Sequence, residues 1–132
     1  MNSPCYCAVV RTASRKMTAL YDAALAPAGI GLAQYSLMRR IKSVKAVSLT
    51  ELARIAELDR STVGRNVRVL QRMGLVSEAA AEDQRETTVA LTEAGVETLR
   101  RAKPMWEDAQ RRVEAALGEA GAETLRTLAM SL

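Results

Sequence analysis

Two short helices in tandem, joined by a break of three residues, constrain this chain more than any other feature. Ser48-Leu-Thr-Glu51 has the form of a capping box, with Ser at the cap and Glu three positions on. The helix it opens, from Leu49 to about Ile55, turns Leu52, Ala53 and Ala56 inward. A break at Glu57-Leu58 leads to Asp59, a good N-cap for a second helix from about Arg60 to Met73, and Gly74 follows as the C′ glycine. This spacing predicts a helix-turn-helix unit.

The second helix has two unlike faces. At about 100° per residue, Val63, Val67 and Leu70 cluster on one side. Ser61, Arg65, Arg68 and Arg72 fall on the other, with Gly64 beside them. Between Arg60 and Arg72 the chain places four arginines and no acidic residue. Guanidinium forks pair bidentately with guanine O6 and N7, and hydroxyls serve bases or phosphates. Small residues at the helix start (Ser61, Thr62 and Gly64) admit that end to a major groove about 12 Å wide. A solvated basic face is the plain alternative, and the capped helix before it and the strands after it favour the nucleic-acid reading.

Around this unit the pattern is mostly helical. Residues 5 to about 26 are rich in Ala, Leu and Val and read as a helix, closed by Pro27, Gly29 and Gly31. A further helix over about 32–43 turns Leu32, Tyr35, Leu37, Met38 and Ile41 inward. Leu75–Glu78 and Thr87–Leu91 read as a small β-hairpin with a polar loop. Thr92-Glu93 caps a long helix to about Leu117, bent or short of one hydrogen bond at Pro104. Gly118 and Gly121 set off a last helix over about 122–131. The predicted architecture is mostly α: one domain over 1–132, in which about 31–95 form the winged helix-turn-helix. Segments 1–30 and 96–132 supply dimerisation helices. Their apolar side chains (Val9, Val10, Leu20, Leu25, Leu117, Leu125 and Leu128) exceed what a short core can cover.

Charge agrees with an anionic partner. The net charge of +4 divides into +6 over residues 1–66 and −2 over 67–132. No apolar run suffices for a membrane span, and no basic-then-apolar leader opens the chain, so the expected location is the cytoplasm. Cys5 and Cys7 then read as reduced thiols. With no histidine, a Cys-x-Cys metal site would need two subunits to supply four ligands, and no metal or other cofactor is expected. No Gly-rich phosphate loop and no nucleophile with a base support an enzyme. A winged helix used to bind another protein is the remaining alternative, which the arginine face disfavours.

Leu52-Ala53, Leu58-Asp-Arg-Ser-Thr-Val63, Arg65, Val67, Leu70 and Gly74-Leu-Val76 together resemble the MarR family of winged-helix regulators. Asp83-Gln-Arg85 and Val89-Ala-Leu-Thr92-Glu-Ala-Gly95 extend the resemblance over nearly the whole chain. It implies a homodimeric transcriptional regulator, a repressor released by a small-molecule effector or another signal. It also implies a pseudo-palindromic operator in double-stranded DNA. Arg85 at the wing tip would enter the minor groove, held by Asp83, although Glu78, Glu82, Asp83 and Glu86 surround it with carboxylates. The segment from Cys7 to Tyr21 resembles the organic-hydroperoxide-sensing branch of the same family. There Cys7 would be the reactive thiol and Tyr21 its hydroxyl partner from the other subunit; apart from that resemblance, Arg11 lies one helical turn from Cys7, where its charge would favour the thiolate. Leu32 and Arg11 stand where that branch has tyrosines. A helical spacing of two residues makes Cys5 a poor disulfide partner for Cys7, and two small apolar fillers at a helix start are the simpler reading.

Overall fold

A computed structural model describes residues 2–79 and 86–132. The elements run α1 (Tyr6–Leu25), a short 3-10 turn (Ala26–Ala28), α2 (Leu32–Val44), β1 (Ala46–Ser48), α3 (Leu49–Ala56), α4 (Arg60–Arg72), β2 (Val76–Ala79), β3 (Thr88–Leu91) and α5 (Glu93–Ser131). The result is a winged helix-turn-helix with long helices at both ends, as the pattern predicts. No helix among the described residues is long and apolar enough to cross a membrane.

The hairpin is one strand larger than expected. β1 pairs antiparallel with β3, which also pairs with β2, so the sheet order is β1-β3-β2. Val47 lies opposite Val89, and both are buried. Three residues are too few for an alternating pattern, so only the pairing reveals β1.

Local signals account for most helix ends. Ser48 caps α3 by accepting the Glu51 N–H at 3.1 Å. The reciprocal half of the expected capping box does not form, because the Glu51 carboxylate pairs with Arg54 instead. At the end of α4, Gly74 adopts φ 76°. The Leu75 N–H then reaches Leu70 O, and the Gly74 N–H reaches Gln71 O, both at 3.0 Å. That pair of bonds is the Schellman closure that glycine permits. Thr92 caps α5 by accepting the Gly95 N–H at 3.0 Å, while its own hydroxyl donates to Gly74 O at 2.7 Å. One side chain thus ties the end of α4 to the start of α5. A Cβ on Gly95 would meet Leu75 O at 2.1 Å, so only glycine fits at that crossing.

Two helix ends depend on distant residues. Gly31 has no side chain to cap α2, and Asp22 of α1 accepts the Leu32 N–H there at 2.7 Å. α5 contains Pro104 and is interrupted at Gly118 alone (φ 73°, ψ 169°), then continues through Gly121 to Ser131. The separation expected at both glycines narrows to a break at one.

Buried side chains form two clusters. The larger joins α2, α3, α4, the sheet and the first turns of α5, with Leu25, Met38, Ile41, Leu52, Val63, Leu70 and Val89 fully buried. The smaller is Tyr21, Ala109 and Val113, between α1 and α5. Leu32 and Trp106 pack against both clusters. Trp106 stacks on Tyr35, with centroids 5.9 Å apart, and Arg39 lies 4.7 Å over its ring.

Candidate nucleic-acid interface

α4 divides its residues as the helical wheel predicts. Val63, Val67 and Leu70 are buried in the larger cluster. Arg60, Ser61, Arg65, Arg68 and Arg72 are exposed, and Thr62 and Gly64 are half-covered. A Cβ at Gly64 would meet nothing within 4 Å, so internal packing does not demand glycine there. Its small size instead leaves the outer face of the helix open to close approach.

Ion pairing sharpens the contrast. Among the described residues, the carboxylate–guanidinium pairs lie along α3 and α5, at Glu51–Arg54, Glu97–Arg100, Asp108–Arg111, Asp108–Arg112 and Glu123–Arg126. None of the four α4 arginines is in one. Four guanidinium groups along a single face, with Asp59 the carboxylate near Arg65 at the helix start, create a positive strip suited to a polyanion.

The start of α4 is more organised than the sequence suggests. Asp59 Oδ1 accepts the Thr62 N–H at 2.8 Å and the Ser61 hydroxyl at 2.6 Å, and Oδ2 accepts the Thr62 hydroxyl at 2.9 Å. Arg65 Nη2 donates to Thr62 Oγ1 at 3.3 Å. The Ser61 hydroxyl, then the Thr62 backbone and hydroxyl, pull the Asp59 carboxyl down to about 2. Sequence reasoning named Asp59 only as a helix cap. The Asp-x-Ser-Thr spacing was the available signal for its second role, since all three side chains fall within the first helical turn.

Of the other expected site residues, Asp83 and Arg85 lie outside the described residues. Cys5 and Cys7 are exposed thiols. The helical spacing that disfavours their pairing requires both residues to lie in α1. Cys5 instead precedes α1 with extended backbone (φ −70°, ψ 112°), so the separation of two helical positions does not apply. Tyr21 is buried and donates its hydroxyl to Gln110 of α5 in its own chain. Burial chiefly, with Glu114 nearby, pushes that phenol above its usual range.

A three-helix unit (α2–α4) whose last helix is basic, followed by a β2–β3 hairpin, defines a winged helix-turn-helix protein. Residues 28–86 match the model of the MarR family. The M. tuberculosis transcriptional regulator MosR, solved in complex with DNA, is 33% identical, with 96% of this chain and 92% of that one covered at a TM-score of 0.86. The chain belongs to the MarR family. A probable transcriptional regulator from Pseudomonas aeruginosa is 25% identical (93% and 92% covered, TM-score 0.85). A mutant MarR from E. coli complexed with operator DNA shares the fold at 21% identity (93% and 89% covered, TM-score 0.85). No curated protein matches by sequence.

Proposed function

We propose that this protein is a sequence-specific double-stranded DNA-binding transcriptional regulator that acts as a homodimer on a pseudo-palindromic operator. The arginine face of α4, which holds no ion pair among the described residues, carries this reading, and the DNA complex of MosR supports it by likeness. Arg65 and the hydroxyls at the start of α4 read base edges, while Arg68 and Arg72 serve the phosphates of the groove wall. The wing contributes Arg85, held by Asp83, to the minor groove.

A second copy of the chain accounts for the terminal helices. Residues 2–16 are exposed throughout, and Val9, Val10, Leu125 and Leu128 present apolar surface that this chain leaves uncovered. A two-fold dimer presents two recognition helices to half-sites about one helical turn, roughly 10 base pairs, apart. Repression relieved by a small effector or another signal fits the joint at Trp106 and Leu32, where both clusters meet.

The salt dependence of binding to duplex DNA tests the reading. Log affinity falling steeply and linearly with log salt is the expected outcome, since each neutralised phosphate releases counterions. Flat, weak binding at every salt concentration would remove the DNA reading and leave the protein-interaction alternative.

A second reading concerns the signal, and the exposure of both thiols favours it. An organic hydroperoxide would oxidise the Cys7 thiolate to sulfenic acid, releasing an alcohol. A small thiol or a cysteine of the other subunit would then displace water to form a disulfide. DNA affinity that persists while these thiols are demonstrably oxidised rules the switch out.

A further inference from the structure

We propose that Asp59 is a specificity-determining residue of the recognition helix, because it makes the Ser61 and Thr62 hydroxyls acceptor-only groups toward the major groove. The inference rests on the DNA-binding reading above and concerns which base edges that surface prefers.

A hydroxyl carries one hydrogen and two lone pairs, so Ser and Thr ordinarily donate or accept as the partner requires. On α4 that freedom is gone. An ionised carboxylate has no hydrogen to give, so the 2.6 Å contact to Ser61 and the 2.9 Å contact to Thr62 must each use the hydroxyl's own proton. The depressed Asp59 carboxyl keeps that arrangement through the whole neutral range. Lone pairs are what remain to face outward, and Arg65 already uses one on Thr62.

Major-groove chemistry then limits the fit. Guanine O6 and N7, adenine N7 and thymine O4 are acceptors, and only cytosine N4 and adenine N6 offer hydrogens. Phosphate oxygens are acceptors too. Ser61 and Thr62 are therefore turned away from phosphates and from the guanine and thymine edges, toward the amino groups of cytosine and adenine. Arg65, one turn along, is donor-only and takes the opposite edges. The outer face of α4 presents acceptors first and donors after.

The test uses the full-length protein and duplexes selected from a random pool. Ser61→Ala and Thr62→Val identify the base positions these side chains read, as those where preference relaxes. The expected preference there is cytosine or adenine. Replacing that base by pyrimidin-2-one or purine, which lack the amino group, should weaken wild-type binding roughly 3- to 10-fold, the worth of one hydrogen bond. Asp59→Asn retains a capping oxygen, which still accepts from Ser61, and so the helix, but its amide nitrogen cannot accept and releases the Thr62 hydroxyl proton, so the position to follow is the one Thr62 reads. Its preference at that position should shrink to under about 3-fold or turn toward guanine or thymine. Asp59→Ser, also a good cap, is the second variant should Asn fold poorly. A wild-type preference for guanine or thymine there overturns the proposal. So does an unchanged preference in both folded Asp59 variants, or a failure of Ser61→Ala and Thr62→Val to relax any position. A wild type without salt-sensitive DNA binding instead removes the functional reading itself.

Discussion

The winged-helix body and the terminal helices are built from similar residues, yet only the body completes its own core. In the body, Ile41, Leu52, Val63, Leu70 and Val89 are enclosed by four helices and a sheet. Between α1 and α5 the buried cluster is small (Tyr21, Ala109 and Val113), and beyond it Val9, Val10, Leu125 and Leu128 stay in contact with solvent. An amphipathic helix needs a surface to lie on. The body supplies one for every helix it contains, whereas the first half of α1 and the end of α5 extend past it. Stability in the body is therefore a property of one chain, whereas the terminal helices carry apolar surface that this chain does not cover.

The largest effect expected of a single change lies in the body. Leu52→Ala should cost about 2–5 kcal/mol, because a fully buried leucine leaves a cavity. Denaturant melts at several protein concentrations would show the same loss at each. A loss below about 1 kcal/mol would mean that the enclosure around Leu52 collapses easily or is incomplete.

Changes in the terminal helices should behave in the opposite way. Val10→Ala combined with Leu128→Ala should weaken self-association by about 2 kcal/mol, roughly 30-fold. The secondary structure of the body should survive. Sedimentation over a dilution series measures this, and a wild type that runs as a stable folded monomer at micromolar concentration would break the comparison.

Next in size is the exposed face of α4. Arg65→Ala should lower operator affinity by about 1–3 kcal/mol and relax sequence preference, with little change in thermal stability. A loss that is uniform over all DNA sequences would make Arg65 a phosphate contact instead.

A smaller gain is expected at the turn between α3 and α4. Glu57 sits at φ 55°, ψ 42°, the left-handed region that disfavours residues with a Cβ. Glu57→Gly should stabilise by about 0.5–1 kcal/mol, the relief of strain less the extra flexibility of the unfolded chain. Unchanged or lower stability would show that the Glu57 side chain makes a compensating contribution.

The smallest effect is a pH response of the same turn. The Asp59 carboxyl is depressed in the folded state, from 3.8 to about 2. The folded protein therefore binds this proton less readily than the unfolded chain. Its contribution is complete above about pH 4 and lost as pH falls through about 2. Thermal melts between pH 5 and 2 should show a slightly steeper decline for wild type than for Asp59→Asn. Identical declines would mean that the cap bonds do not favour the charged form.

Much of this molecule is legible along the chain. The signals that name its parts are local: Ser48, Asp59 and Thr92 as caps, Gly74 as a left-handed stop, and the opposed faces of α4. Each acts within one or two helical turns, so the residue types suffice to place α3, α4, the β2–β3 hairpin and the candidate recognition surface. Several features that escaped involve groups far apart in sequence, and others turn on a choice between local partners. β1 exists because Val47 meets Val89, the start of α2 is satisfied by Asp22, and Gly95 is required by the passage of Leu75 O. Glu51 forgoes its half of the capping box for Arg54, and Cys5 falls just outside α1. Residue types and spacing thus determined which helices form and which face of α4 is basic, because those follow from hydrogen bonds and periodicity within a few residues. Only the tertiary structure decided the third strand, the anchoring of α2 by Asp22 and the demand for glycine at position 95. Such choices depend on which of several competing partners comes within hydrogen-bonding distance once the chain has packed.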